Sequence, residues 1–334
     1  MRTRPLGKSG IEASIIGVGT WAIGGGGWGG TDERASIEAI HASLDAGINL
    51  VDTAPIYGKG LSEEIVGKAL KDRRDRAVLA TKCGMRWDTD AGEFKFNDGT
   101  HDIRLVQSLE GIRTEVERSL KRLQTDVIDL YQTHWQTETT PVEDTMACLL
   151  ELKAEGKIRA IGASNTDPAL LRRYLDAGQL DVIQEMFSMV DRHHCADLFP
   201  MAAENGVAVL AYSTMAMGLL TGKMGPDREF AEDDMRASSP RFTRENRARV
   251  QGLLEKVQVF ADKYELSLPQ FVIAWSAEVP GVTHLLCGAR NPQQAEENAA
   301  AGRVEITSED YAAVEQLIND AAIKLPHPFL PSDD

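Results

Sequence analysis

Asp52, Tyr57, Lys82 and His134 are the residues of this chain whose types and spacing suit proton transfer. Each lies at or just beyond the C-terminal end of a short apolar run, at residues 48–51, 77–80 and 127–131. A carboxylate, a phenol, an ammonium and an imidazole brought together form a proton-transfer set, with the phenol as the acid. An ammonium at the inner end of a strand requires a carboxylate, and Asp52 on a neighbouring strand end supplies one. Lys82 beside Tyr57 is expected to pull the phenol down from its ordinary value of about 10. His134, one strand further round, is expected to hydrogen-bond and orient a substrate oxygen.

These four positions need strands that deliver them to one rim. Apolar runs at 15–18, 48–51, 78–80, 127–131, 158–162, 182–184, 207–211 and 285–287 read as strands, with helical sequence between them. Helices are expected over 32–46, over 62–70 with Ser62 as N-cap, over 105–123, over 142–154 stopped by Gly156, and from Asp167-Pro168 to Gly178. Unbroken strand–helix alternation implies a parallel sheet. About eight such units predict a (β/α)8 TIM barrel as one domain over residues 1–334. An N-terminal β-hairpin around Gly7 to Gly10 precedes it, and a short flexible tail begins at about 326. Three long connections, 85–102, 193–200 with its approach from Phe187, and 224–246, follow strand ends and are expected to wall a pocket or close over it.

Bulk properties narrow the function. A 334-residue chain with 43% hydrophobic residues can bury a large core. A formal net charge of -15 speaks against nucleic-acid or anionic-membrane binding, which requires clustered Lys and Arg. Cys83, Cys148, Cys195 and Cys287 form no CxxC pair and read as reduced packing residues of a cytoplasmic protein. The N-terminus lacks the apolar segment of a signal peptide, and no apolar stretch approaches membrane-spanning length.

Some motifs fail on context. Gly17-Val-Gly19-Thr-Trp-Ala22 matches the dinucleotide fingerprint formally, but Gly24-Gly-Gly-Gly-Trp-Gly-Gly30 follows where a helix must start. That run reads as a loop over the barrel mouth, with Thr20 and Trp21 near a ligand. Gly7-Lys8-Ser9 is no phosphate loop, because Arg2 holds the position of the first glycine. His193-His194-Cys195 lacks metal-ligand spacing and reads as a pocket rim.

Ordered along the chain stand Gly17-Val-Gly-Thr-Trp21, Asp52-Thr-Ala-Pro-Ile-Tyr57-Gly58, Thr81-Lys82, Asp129-Leu-Tyr-Gln-Thr-His134-Trp135, Ile161-Gly-Ala-Ser164-Asn165, Gln184, Ala211-Tyr212-Ser213, Gly218-Leu-Leu-Thr-Gly-Lys223, and Gly288-Ala-Arg290 leading to Glu297-Asn298. In this series the chain resembles the aldo-keto reductases over nearly its whole length. The resemblance implies Asp52, Tyr57, Lys82 and His134 as the catalytic tetrad, and a cofactor lying extended across the barrel mouth. Gly19, Thr20, Trp21 and Asp52 would lie beside it. Ser164, Asn165 and Gln184 would hold the nicotinamide carboxamide, and Tyr212 would stack on the ring. Ser213 with Gly218, Leu219, Thr221, Gly222 and Lys223 would cover the pyrophosphate. Gly288, Arg290, Gln294, Glu297 and Asn298 would meet the adenosine end. Gly288 and Gln294 stand where many family members carry basic residues, while Arg290 remains, so NADPH is expected, with NADH possible.

The activity implied is reduction of an aldehyde or ketone to an alcohol. The substrate is expected to be polar, of sugar-derived or polyol type, between Trp21, Trp87 and Trp135. Arg86, Asp88, Arg192, His193 and His194 in the loops, together with His134, would contact it. Two alternatives are a lyase or aldolase with a Schiff base on Lys82, and a redox sensor that binds cofactor with little turnover.

Overall fold

The computed structural model describes residues 1–26, 29–231 and 234–328. Among them, eight parallel strands close into a barrel: β1 (Ile16–Gly19), β2 (Leu50–Asp52), β3 (Val78–Cys83), β4 (Ile128–Thr133), β5 (Ile158–Ser164), β6 (Val182–Met186), β7 (Ala208–Tyr212) and β8 (His284–Gly288). Around them lie α1 (Glu33–Asp45), α2 (Leu61–Leu70), α3 (Leu109–Leu123), α4 (Val142–Ala154), α5 (Pro168–Ala177), α6 (Leu198–Glu204), α7 (Arg244–Lys263), α8 (Leu268–Ser276), α9 (Pro292–Ala301) and α10 (Ser308–Ala321). The expected (β/α)8 barrel is present.

Strand periodicity builds two cores. Leu50, Val78, Ala80, Leu130, Ala160, Val182, Leu210 and Leu286 fill the lumen. Their strand neighbours Val51, Leu79, Tyr131, Ile161, Ile183, Val209 and Leu285 pack outward against the helices. The hairpin of Thr3–Pro5 and Glu12–Ser14 adds Leu6, Ile11 and Ala13 to the lumen cluster and so plugs the barrel floor. Two residues beyond Leu50, Ala80, Leu130 and Val182, the same inward face carries Asp52, Lys82, Gln132 and Gln184, all nearly or fully buried. A polar layer therefore caps an apolar one.

Several expectations need correction. Ser62 does not cap α2; Gly60 does, in the left-handed region at φ 101°. Ser62 is buried, and its hydroxyl meets Thr20 Oγ1 at 2.7 Å and Thr53 Oγ1 at 2.9 Å, so tertiary partners outcompete the local cap. Residues 85–102 are not an irregular loop: Met85–Arg86, Glu93–Asn97 and Asp102–Leu105 form a small antiparallel sheet. Leu105 ends that sheet, and α3 starts only after Ser108, whose side chain accepts from Gly111 N. Where the tail is expected to begin, Arg241 donates to the carbonyl of Pro326 at 3.1 Å; the rest of that tail, residues 329–334, lies outside the described residues.

Candidate active site

Lys82 anchors the polar layer. Its ammonium donates to Asp52 Oδ1 at 2.7 Å, to the Thr53 carbonyl at 2.9 Å and to the Tyr57 hydroxyl at 3.2 Å, which commits all three protons. Asp52 Oδ2 accepts from Gln184 Nε2 at 2.8 Å and from Gln132 Nε2 at 3.3 Å. Burial presses Lys82 down, but Asp52 and Tyr57 hold its ammonium above the ordinary lysine range. A Schiff base requires the neutral amine, so this environment opposes the lyase reading.

Tyr57 reaches the layer from the loop after β2. That loop packs backbone to backbone on the turn after β1: a Cβ on Gly58, which sits at φ 64°, would lie 2.4 Å from the Gly24 carbonyl oxygen. Only glycine permits that approach and that conformation together. The His134 ring meets the Tyr57 ring edge-on, with centroids 5.8 Å apart. The His134 amide donates to the Cys83 carbonyl at 2.9 Å, which fixes its place beyond β4.

The phenol is not pulled down as expected. Burial pushes Tyr57 up, Lys82 pulls it down and Asp52 pushes it up again, and the balance is upward. Burial is the largest cause, and Asp52, hydrogen-bonded to Lys82, offsets part of the pull that the ammonium exerts on the phenol. A phenol so placed is protonated at neutral pH and is a donor. Burial, with Lys82 adding to it, holds His134 well below the ordinary histidine range, so its imidazole is neutral.

Around this centre the other expected residues form a trough. Gly19 pairs in register with both Asp52 and Gly288. A Cβ on Gly288 would meet nothing closer than the Gly19 carbonyl oxygen at 3.9 Å, so the strand ends of β1 and β8 leave open space. Thr20 donates to the Asp52 carbonyl at 2.9 Å, and Trp21 opens a single 3-10 turn. The next helix is α1, which begins at Glu33, so no helix starts at the glycine fingerprint. The glycine run expected over the mouth includes Gly27 and Trp28, which lie outside the described residues; beside them, Arg290 donates to the Gly30 carbonyl at 3.2 Å.

Ser164 donates to the Gln184 carbonyl at 2.8 Å. Asn165, in the left-handed region at φ 59°, donates to the His134 carbonyl at 2.8 Å and accepts from the Tyr212 hydroxyl at 2.7 Å. From Ser213 onward, Ser213, Ala216, Met217, Gly218 and Gly222 all take positive φ, which makes a kinked pair of tight turns. Ser213 Oγ is buried without a hydrogen-bond partner. Leu219 is buried in the core, Thr221 donates back to the Gly218 carbonyl at 2.7 Å, and Lys223 is exposed. At the far end, Gln294 accepts from Arg290 N at 2.8 Å and Asn298 donates to the Gly288 carbonyl at 3.1 Å. Glu297 lies one position before Asn298 on α9 and accepts from Gln293 at 2.9 Å. An orphaned hydroxyl, side-chain-free space between β1 and β8, and a turn segment with upturned backbone suit an extended dinucleotide.

The side chains expected to touch substrate separate into two places. Trp87 and Trp135 pack with Ile56, beside Tyr57, against Met85, Ile103 and Leu105. Arg192 instead donates to Glu315 of α10 at 2.5 Å and lies over the Trp275 ring of α8. His194 stands 3.8 Å from Glu185, and its ring lies tilted against that of His193, with centroids 4.0 Å apart; the His193 ring also meets His327 edge-on. Arg192 is thus held by the outer helices, while His194 sits against Glu185 of β6.

Sequence reasoning missed Gln132, although its position two residues after Leu130 puts it on the inward face. It also missed Lys95, whose ammonium lies 3.8 Å from the Trp135 ring centroid, and Glu115 of α3, which accepts from Gly84 N at 2.8 Å just behind Lys82. Neither has a local sequence signal.

Comparison with known proteins fits this geometry. The model of the aldo/keto reductase family matches residues 15–319. The NADH-specific methylglyoxal reductase of Escherichia coli (strain K12) is 41% identical over 95% of this chain and 98% of its own length. The structure of the glycerol dehydrogenase AKR11B4 from Gluconobacter oxydans is 35% identical, with TM-score 0.87 and 99% of each chain covered. An aldo/keto reductase from Klebsiella pneumoniae in complex with NADP and acetate is 25% identical, with TM-score 0.72 over 95% of this chain and 96% of its own.

Proposed function

Because the chain belongs to the aldo/keto reductase family, we propose that this NAD(P)H-dependent oxidoreductase reduces a small polar aldehyde or ketone at the rim formed by Tyr57, Lys82, Asp52 and His134. One observation carries the reading: Lys82 spends its three protons on Asp52, Thr53 and Tyr57, so the phenol accepts from the ammonium and keeps its own proton to donate. When bound, the nicotinamide supplies hydride to the carbonyl carbon. Tyr57 gives its proton to the carbonyl oxygen, and Lys82 stabilises the phenolate left behind. Neutral His134 orients the same oxygen through a hydrogen bond.

Asn165, Ser164 and Gln184 serve the nicotinamide end. Gln184 has its amide nitrogen turned to Asp52, so its carbonyl oxygen is the group that remains for a carboxamide. Ser213 and the turns to Lys223 take the pyrophosphate, and Arg290 with Gln294, Glu297 and Asn298 takes the adenosine. Both NADH and NADPH bind; a relative is NADH-specific, while Arg290 supplies a cation for a 2′-phosphate.

The substrate class follows from the walls. Trp87 and Trp135, packed together beside Ile56, offer apolar surface, and Lys95 over the Trp135 ring adds a charge. Trp21, which packs against the main core, is assigned to the opposite wall by the resemblance. A three-carbon oxoaldehyde or hydroxycarbonyl suits such a site, in keeping with relatives that act on methylglyoxal and glycerol. The enzyme acts in the cytoplasm; among the described residues, no helix is long and apolar enough to cross a membrane.

The experiment is titration with NADH and NADPH, followed by a panel of methylglyoxal, glyceraldehyde and dihydroxyacetone read at the nicotinamide absorbance. Binding with turnover of at least one compound is expected. Cofactor binding without turnover of any carbonyl would favour the sensor reading, and thermal stabilisation by neither cofactor would defeat both.

A further inference from the structure

Gln132 is fully buried in the polar layer, paired in register with Lys82 on one side and Gly162 on the other. Its Nε2 donates to Asp52 Oδ2 at 3.3 Å, the oxygen that also accepts from Gln184. Its Oε1 has no hydrogen-bond partner. Turning the amide over would set that oxygen against the carboxylate, so Asp52 dictates the orientation. The neighbouring strand makes room: a Cβ on Gly162 would lie 2.6 Å from Gln132 Cγ and 3.1 Å from Oε1. A half-satisfied buried amide weakens a fold, and a leucine, as at position 130 below it, would carry no such penalty. Packing alone gives no reason for glutamine here.

We propose that Gln132 is a positioning residue for the proton donor: its donation to Asp52 Oδ2 keeps Oδ1 on Lys82 and withholds part of the carboxylate charge from Tyr57. The inference rests on Tyr57 as the proton donor. The groups that face the phenol are Asp52 from β2, Lys82 from β3, His134 from beyond β4 and Tyr212 from β7. Of these, Asp52 is the one carboxylate, and it opposes ionisation of the phenol. Gln132 is neutral and reaches Tyr57 only through Asp52. Without it, the carboxylate concentrates its charge and turns more easily from Lys82. Ionisation of the phenol then becomes harder, and the donor is less well held.

Two variants test this. Gln132→Leu removes the donor and the orphaned oxygen, and Gly162→Ala displaces the amide while leaving it in the chain. Each is expected to bind cofactor within about twofold of the parent, to lower kcat by roughly tenfold, and to move the alkaline limb of the pH profile upward by about half a unit or more. Tyr57→Phe is measured in parallel. Either variant, folded, with parental kcat and an unmoved alkaline limb while Tyr57→Phe is inactive, overturns the role of Gln132 alone. An active Tyr57→Phe overturns the reading of the site itself. Should Gln132→Leu fail to fold, Gly162→Ala decides the matter.

Discussion

The Lys82 ammonium donates to the Tyr57 hydroxyl oxygen across 3.2 Å, and no proton remains on Lys82 for any other partner. The phenol oxygen accepts that bond, so its own proton is not given to Lys82 and stays available to another acceptor. Because burial and Asp52 outweigh Lys82 at the phenol, that proton is retained through neutral pH.

The first prediction is a pH profile. The proposed reduction needs the protonated phenol, and burial holds Tyr57 above the ordinary phenol value of about 10, so kcat/KM is expected to stay level from roughly pH 6 to pH 9. It falls only on the alkaline side, and alcohol oxidation, which needs the phenolate, rises there. His134 is already neutral, so no limb is expected near its ordinary value of about 6.5. A limb between pH 6 and 7 that His134→Asn abolishes would contradict this assignment.

The buried pair makes a second prediction. Lys82→Met leaves Asp52 buried with two amide donors and no counter-charge, and should destabilise the fold by about 3–5 kcal/mol. Asp52→Asn together with Lys82→Met should recover much of that loss, since no uncompensated charge remains. Urea unfolding of the four proteins of the cycle measures the coupling. Additive losses would mean the two side chains do not depend on each other.

The proposed cofactor site puts discrimination between NADPH and NADH on Arg290. Arg290→Ala is expected to weaken NADPH binding by roughly tenfold, the scale of a charge-assisted contact to phosphate, and NADH binding by less than about twofold. Fluorescence titration of both cofactors checks it. Equal losses for the two would place Arg290 on a group they share.

Glu115 gives a stability signature. Burial pushes its carboxyl up to about 8, against the Gly84 amide, which favours the charged form. Below the unfolded value near 4.5 both states are protonated, and ionisation carries no penalty. As pH rises through that value to about 8, the unfolded chain loses the proton first, so native stability falls across this window. Glu115→Gln can keep the hydrogen bond from Gly84 through its amide oxygen. Its Tm advantage should grow from pH 5 to pH 8, estimated as the window in which the linkage acts, at about one proton. A constant difference across that range would show that Glu115 is already charged in the folded protein.

How much of this was legible in the sequence depends on range. The barrel and most helix limits follow from alternation of apolar runs with capped helical segments, as at Asp167-Pro168 and at 142–154. Asp52, Tyr57, Lys82 and His134 stand out in the sequence because strand ends carry the site in such a fold, and the structure brings them together. Ser62 misled because a local cap signal cannot reveal that Thr20 and Thr53, brought by other loops, will claim the hydroxyl. The Tyr57 shift runs against the sequence expectation for a related reason: burial, and the pairing of Lys82 with Asp52, outweigh the one neighbouring charge that the sequence makes visible. Gln132 is legible in principle from its period-two relation to Leu130, but no local motif marks it out beside His134.

The most direct test is Tyr57→Phe, assayed with both cofactors. The variant keeps the ring against His134 and loses only the hydroxyl. Cofactor affinity within about twofold of the parent is expected, with carbonyl reduction reduced by a factor of 100 or more, roughly the lower range of general acid catalysis. Reduction at a rate near the parent's, with cofactor bound, would show that the proton comes from another group and that the cluster around Lys82 serves the fold rather than the chemistry.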